Sequence, residues 1–201
     1  RGYPYTDLYG KSPSGDIKYV DLDQNGVIDT YDQMAIGGTE NPEIVYGFGV
    51  NLRWKDLDFG AMFQGIGRTW RILSSNIMPA SNKGSMYNIF DNYQDRWTVD
   101  NQSQDVFYPR ADYGPNANNS QKSTWWLRNM SFLRLKNVEL GYSCPKKWLQ
   151  GFVISNARVF VRGTNLLTFS KFDLWDPELA TGDGAKYPAM KSVSVGFDIT
   201  F

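Results

Sequence analysis

The segment from Lys191 to Phe201 limits the possible folds more than any other part of this chain. Apolar side chains occupy one parity of the segment, at Val193, Val195, Phe197, Ile199 and Phe201. The other parity carries only serine, glycine, aspartate and threonine. A period of two predicts a β-strand with one apolar and one polar face. One strand is not stable alone, so further strands of this kind are expected.

A hairpin with the same alternation is predicted over residues 43–66. Apolar residues fall on the even positions from Ile44 to Trp54, and Lys55-Asp56 has the length of a tight turn. The next strand alternates from Leu57 onward. Both strands are about the ten residues that cross a bilayer at a tilt, and Trp54 lies at the short-turn end, where interfacial aromatic residues concentrate.

A second hairpin is predicted over residues 130–166. Its first strand is interrupted, because Leu133 and Leu135 fall on the opposite parity from Val138. This break predicts either a β-bulge or a segment that rises above a membrane. In its second strand Arg158 and Arg162 lie opposite the apolar residues. They are predicted to face a barrel lumen, because arginine on the lipid face at the bilayer midplane costs about 2–4 kcal/mol.

Short and long connections alternate between these strands. The predicted organisation is a loop over 1–42, a transmembrane hairpin over 43–66, a loop over 67–129, a transmembrane hairpin over 130–166, a loop over 167–188 and a terminal strand over 189–201. This alternation is typical of a large transmembrane β-barrel with long extracellular loops. About five strands cannot close a barrel in lipid, so the chain is expected to be part of a larger protein.

The loop over 1–42 contains a calcium-type motif. Oxygen donors recur with the spacing of an EF-hand loop, at Asp21, Asp23, Asn25, the carbonyl of Val27, Asp29 and Asp32, with Gly26 at the turn. The sequence therefore predicts a structural Ca²⁺ ion, with a water-mediated contact at the short Asp32 side chain. The alternative is a series of Asx turns without an ion, because the same residue types favour turns.

The aromatic residues of the long loop have two interpretations. Trp70, Trp97, Trp125 and Trp126 could stack on sugar rings or peptides, or pack a small core within the loop. A short helix is predicted over Met86–Trp97. The tryptophans, together with Arg158 and Arg162, are the candidate residues for contact with a substrate or partner.

Composition excludes several functional classes. The 21 basic and 21 acidic residues give no net charge, which argues against a nucleic-acid partner. The chain has no histidine, and its lone Cys144 has no internal disulfide partner. These absences make an enzyme the weakest hypothesis, since Asp91 and Asp95 are interpreted as helix-capping or solvated residues.

Many short motifs, in order and spacing, resemble the C-terminal part of SusC/RagA-type TonB-dependent transporters. They are Gly15-Asp-Ile-Lys-Tyr19, Ile36-Gly37, Tyr46-Gly-Phe48, Phe63-Gln-Gly65, Asp95-Arg-Trp-Thr98, Tyr108-Pro-Arg110, Trp126-Leu-Arg-Asn129, Ser131-Phe-Leu-Arg-Leu-Lys-Asn-Val138, Leu140-Gly-Tyr142, Gly163-Thr-Asn-Leu-Leu-Thr-Phe169 and Asp176-Pro-Glu178. The resemblance runs from about Gly15 to Phe201.

The resemblance implies the wall of a plugged outer-membrane barrel of about 22 strands. It implies import of oligosaccharides or peptides, a SusD-like surface lipoprotein as a lid, and energy from TonB-ExbB-ExbD through segments outside this chain. The location implied is the outer membrane of a Gram-negative, Bacteroidetes-like bacterium, with lipid around the barrel. Phe197, Ile199 and Phe201 would then form an assembly signal. The alternative is a soluble, calcium-stabilised carbohydrate-binding or adhesion module.

Overall fold

The computed structural model describes residues 14–36, 38–73, 77, 90–111 and 116–201. Gly37 and the first part of the helix predicted over Met86–Trp97 lie outside these residues. No helix among the described residues is long and apolar enough to cross a membrane. The chain divides into two compact units, Arg1–Gly38 with Arg71–Arg128, and Thr39–Trp70 with Asn129–Phe201.

An antiparallel five-stranded sheet dominates the second unit. Its strands are β1 (Ile44–Trp54), β2 (Leu57–Gly67), β5 (Phe132–Ser143), β6 (Asn156–Ser170) and β7 (Ser192–Thr200), in the order β1-β2-β5-β6-β7. The predicted all-β fold with about five barrel-type strands is confirmed. Two short strands that the sequence did not predict, β3 (Trp70–Ile72) and β4 (Leu127–Asn129), pair in a separate two-stranded sheet.

The register aligns apolar residues of one parity across neighbouring strands, whereas Met62 and Phe160 fall on the other parity. Leu52 pairs with Phe59, Phe59 with Leu140, and Leu140 with Val161. The apolar face defined in this way comprises Phe48, Val50, Leu52, Trp54, Leu57, Phe59, Phe63, Val138, Leu140, Tyr142, Val159, Val161, Val193, Val195, Phe197 and Ile199. The opposite, polar face carries Asn51, Arg53, Asp58, Asn137, Glu139, Arg158, Arg162, Ser194 and Asp198.

A β-bulge explains the break in parity on β5. The pairing with β2 is continuous up to Asn137 and resumes at Leu135, so that Lys136 is the extra residue. Leu135 pairs with Phe63 and Leu133 with Gly65, which returns both leucines to the apolar side. The predicted bulge is confirmed. Pairing beyond it also extends β6 to Ser170, past the boundary predicted at 166.

The first unit builds a small core from loop residues. Ile17, Ile28, Leu73, Ile77, Tyr108 and Trp126 are all buried. The side chains of Asn118 and Asn119 bind the backbone of Ile17. Nδ2 of Asn118 donates to the Ile17 carbonyl, and the Ile17 N–H donates to Oδ1 of Asn119, both at 2.8 Å. The buried amides thus replace the ladder hydrogen bonds that a strand would supply.

Helical structure is limited to short 3₁₀ turns in the part of the chain that the structure describes. These are Thr30–Asp32, Asp91–Gln94, Lys146–Trp148 and Pro177–Leu179. The helix predicted over Met86–Trp97 is therefore wrong from residue 95 onward, and Asp91–Gln94 forms only a 3₁₀ turn. Arg96 instead forms a parallel bridge with Tyr108, and the N–H of Trp97 donates to the carbonyl of Tyr108 at 3.0 Å. This pairing with a distant segment overrides the weak helical propensity.

Candidate functional site

The polar face of the five-stranded sheet carries an ion-pair network centred on Arg158. Its Nε lies 3.0 Å from Oδ1 of Asp58, Nη2 lies 2.7 Å from Oε1 of Glu139, and Nη1 lies 3.4 Å from Oδ2 of Asp198. Four strands are joined in this way, because these residues belong to β2, β5, β6 and β7. The prediction that Arg158 lies opposite the apolar side chains is confirmed.

Arg162 extends the network but keeps a free surface. Its Nη2 lies 2.6 Å from Oε2 of Glu139, yet its side chain is 51% exposed, whereas that of Arg158 is 19% exposed. Of the two arginines, Arg162 is therefore the one whose guanidinium stays accessible to solvent. Arg158 is occupied by three carboxylates and holds the strands together.

Phe160 lies between the two arginines on β6. Its ring centroid is 5.1 Å from the guanidinium carbon of Arg158 and 5.2 Å from that of Arg162. The ring also covers Gly196 of β7, the residue paired with Phe160, where a Cβ would collide with ring carbons. The glycine thus makes room for an Arg-Phe-Arg stack on the polar face.

A depression of about 750 Å³ borders this face, and its lining also includes Phe48, Leu52 and Phe59 of the apolar face. Its lining includes Asn51, Arg53, Asp58, Asn137, Glu139 and Arg162. Amide and charged groups of both signs can donate to and accept from sugar hydroxyls or peptide groups, without selecting for either charge. The polar face is suited to reversible solute contact and holds no nucleophile–base pair among its described residues.

We expect Gly196→Ala to disturb the polar face, because the new methyl group displaces Phe160 and overpacking costs about 1–3 kcal/mol. The measurement is thermal unfolding of the full-length protein, with Ser194→Ala on the same strand and face as the control. Shortening the ring in the double variant Gly196→Ala/Phe160→Leu should restore part of the loss. An unfolding temperature for Gly196→Ala equal to that of the wild type would contradict this packing.

The calcium-type loop brings three of its six predicted ligands together. One carboxylate oxygen from each of Asp21, Asp23 and Asp32 lies within 4.8 Å of the others. Asp29 is not in this group; its Oδ1 accepts from the N–H of Tyr31 at 2.7 Å and caps the Thr30–Asp32 turn. Asn25 Oδ1 accepts from the N–H of Val27 at 2.7 Å.

The loop's own N–H groups pre-arrange the carboxylates. Oδ2 of Asp21 accepts from Gly26 at 2.8 Å, while its buried Oδ1 has no hydrogen-bond partner among the described residues. The N–H groups of Asp29 and Leu22 lower the pKa of Asp32 below its usual value, so this carboxylate is ionised at neutral pH. Ionised oxygen donors at this spacing fit a hard cation such as Ca²⁺.

The loop tryptophans differ in what they can contact. Trp126 is completely buried, so its predicted role as a substrate contact is corrected to a packing role. Its Nε1 donates to the carbonyl of Asn119 at 2.9 Å, and its ring packs edge-on against Phe107. Trp70, Trp97 and Trp125 are half-buried, and their contact role stays a prediction.

The predicted assembly residues lie on or next to the apolar face. Phe197 and Ile199 belong to β7 and are 74% and 44% exposed, and Phe201 follows the strand and is 81% exposed. A row of exposed apolar side chains on an outer strand is accessible to another protein, and its role as an assembly signal stays a prediction.

Sequence reasoning missed a second ion-pair cluster at the other end of the sheet. Arg134 of β5 pairs with Asp176 and, at 2.8 Å from Nη1 to Oε2, with Glu178, while Lys136 Nζ lies 2.7 Å from Oε1 of Glu178. A signal was present: two cations spaced two residues apart on a strand match two anions spaced two apart in the loop.

No protein-family model matches the chain. TonB-dependent receptor P26 of Formosa agariphila is 32% identical over 202 residues, which cover 93% of this chain and 20% of that protein. TonB-dependent receptor SusC of Bacteroides thetaiotaomicron is 24% identical over 206 residues, or 99% of this chain and 19% of that protein.

The solved structure of the RagAB peptide importer in the 'open-open' state matches 99% of this chain with a TM-score of 0.74 and 31% identity, over 22% of that chain. The chain is homologous to part of the SusC/RagA-type TonB-dependent receptors. The predicted resemblance is thereby confirmed, and the chain spans about a fifth of the length of the curated relatives it matches. The five-stranded sheet with its two faces thus shares its fold with part of that importer chain.

Proposed function

We propose that this chain forms part of the wall and loops of a TonB-dependent outer-membrane importer. The observation that carries the proposal is the five-stranded antiparallel sheet with one continuous apolar and one polar face, in a fold shared with the RagAB peptide importer. The apolar face would contact outer-membrane lipid, and the polar face with Arg162 would line the path of the solute.

The proposed cargo is a peptide or an oligosaccharide, moved without covalent chemistry. The polar face presents amides and balanced charges rather than a field of one sign, which suits neutral or mixed-charge solutes. A SusD-like surface lipoprotein is the proposed partner at the extracellular loops. TonB-ExbB-ExbD would supply energy through segments outside this chain, in a Gram-negative, Bacteroidetes-like outer membrane.

The proposal is tested on the full-length receptor, tagged and extracted from the outer-membrane fraction in mild detergent. We expect a polypeptide several times larger than 22.9 kDa that co-purifies with a lipoprotein. Deletion of the gene should abolish growth on either an oligosaccharide or a peptide mixture, which identifies the cargo. A detergent-independent soluble protein would instead support the calcium-stabilised binding module and would refute the importer.

We also propose that the loop at Asp21–Asp32 binds a structural Ca²⁺ ion. The three converging carboxylates and the partnerless Oδ1 of Asp21 support this site. With the affinities typical of extracellular modules, millimolar Ca²⁺ would stabilise the loop by about 1 kcal/mol.

We expect Asp21→Ala together with Asp23→Ala to make residues 15–40 sensitive to protease in calcium-containing buffer, because the site loses two ligands. Limited proteolysis of the full-length receptor, read by mass spectrometry, measures the change. The exposed pair Asp100→Ala and Asp105→Ala is the matched control and should leave the digestion unchanged. Equal resistance of the wild type with and without a chelator would rule out a stabilising ion.

A further inference from the structure

The connection between β5 and β6 presents exposed aromatic and basic side chains at the short-turn end of the sheet. Trp148, Phe152 and Val153 are 66%, 69% and 85% exposed. Lys146 and Lys147 are also exposed, and residues 144–157 contain no aspartate or glutamate. Neither lysine has an ion pair among the residues that the structure describes.

One hydrogen bond holds the start of this connection beside the β1–β2 turn, and a second lies within the connection. The N–H of Ser143 donates to the carbonyl of Asp56 at 2.8 Å, and the N–H of Trp148 donates to that of Pro145 at 2.9 Å. Trp54 is 66% exposed in the neighbouring turn, and Nζ of Lys55 lies 4.9 Å from its ring centroid. Basic and aromatic groups therefore occur together in two adjacent turns.

The apolar face of the sheet runs directly into these turns. Leu57, Tyr142 and Val159, which pair across β2, β5 and β6, form its last row and are exposed. At a membrane surface, apolar side chains contact the acyl chains, tryptophan lies at the interface, and lysine reaches the lipid phosphates. The apolar face and the two turns present these groups in the same order. Lysines that make no ion pair with the described residues favour an anionic headgroup over a zwitterionic one, and the neighbouring turn contributes a single acidic residue, Asp56.

We propose that the β5–β6 connection is a binding site for anionic phospholipid headgroups, with Lys146 and Lys147 on the phosphate and Trp148 and Phe152 at the acyl-chain boundary. The inference rests on the proposed outer-membrane location. It adds a specific lipid class and named residues to the general contact between a barrel and lipid.

The test uses the full-length receptor in detergent with equal amounts of phosphatidylglycerol and phosphatidylcholine, and native mass spectrometry counts the bound lipids. The wild type should retain phosphatidylglycerol preferentially. Lys146→Gln with Lys147→Gln should lower that preference by about fivefold for each lysine removed. The control pair Lys171→Gln with Lys191→Gln, exposed at the opposite end of the sheet, should have no effect.

A third variant separates the headgroup from the acyl chains. Trp148→Ala should weaken retention of both lipids while the preference between them stays the same. The proposal is overturned if the Lys146/Lys147 variant keeps its lipid preference, or if the Lys171/Lys191 control loses that preference equally. It is also overturned if the Lys146/Lys147 variant loses a co-purifying protein instead of lipid. The readout is independent of cargo uptake, so failure of the import proposal would appear separately, as a wild type that binds the lipid but imports nothing.

Discussion

Replacing Trp126 by alanine is expected to destabilise the first unit by about 3–5 kcal/mol, the usual cost of removing a fully buried tryptophan. Its ring fills the space beside Phe107 and Tyr108, and its indole N–H satisfies the carbonyl of Asn119. Without the ring, the carbonyl loses its partner and the segment that carries Asn118 and Asn119 loses its support. Hydrogen exchange of the full-length receptor should show faster exchange over residues 90–111 and 116–128.

The adjacent residue gives a matched control for Trp126. Trp125 is half-buried, and its Nε1 donates to the carbonyl of Phe107 at 3.0 Å. Trp125→Ala should cost only about 1–2 kcal/mol, from one hydrogen bond and part of a ring surface. If Trp125→Ala changed exchange as much as Trp126→Ala, packing around Trp126 would not organise the unit, and the assignment of the two roles would be wrong.

The sheet was predictable from the sequence because a strand's faces are fixed by a period of two. The parity that separates Val159 from Arg158 survives in the structure, and so does the break at Leu135, which becomes the bulge at Lys136. These features depend on neighbours in the sequence alone. For the same reason the alternation of residue types was enough to assign the apolar face and the polar face with its arginines.

The loop contacts could not be predicted, because they join segments far apart in the chain. Asp16 holds Nε of Arg110 at 2.8 Å and Nδ2 of Asn119 at 2.9 Å, across roughly a hundred residues. No local period marks such partners, and a tryptophan that binds a solute looks in sequence like one that packs a core. The calcium-type loop was recognisable because all its donors lie in one short segment. The capping of the Thr30–Asp32 turn by Asp29 could not be recognised in the same way.

Arg134→Met is expected to release the loop after β6 from the sheet, with a loss of about 3–5 kcal/mol. The Arg134 side chain is 2% exposed, and its partner Asp176 is 12% exposed, so the variant leaves a largely covered carboxylate without its cation. Asp176 also caps the Pro177–Leu179 turn through the N–H of Glu178 at 3.0 Å. Hydrogen exchange over residues 171–190 of the full-length receptor measures the release.

Lys136→Met is the matched control, because Lys136 binds the same Glu178 but is 21% exposed. Its loss should cost about 1 kcal/mol or less. Neutralising the anions as well, in Arg134→Met/Asp176→Asn/Glu178→Gln, should recover part of the stability, since the penalty comes from an unpaired buried charge. If Lys136→Met released the loop as fully as Arg134→Met, burial of the charge would not be the cause.

The same cluster predicts how the loop responds to acid. Burial raises the pKa of Asp176, but hydrogen bonds from Arg134 and from the Glu178 N–H outweigh it, so that the pKa lies below its usual value. A lowered folded-state pKa means that the stabilisation is complete above the unfolded pKa of about 3.9 and is lost as the pH falls through the folded value. Exchange over residues 171–190 should therefore stay constant from pH 7 to about 5, after correction for intrinsic exchange, and increase below about pH 4. In Asp176→Asn this increase should be smaller, because the titrating carboxylate is gone; an unchanged increase would assign the acid response to other groups.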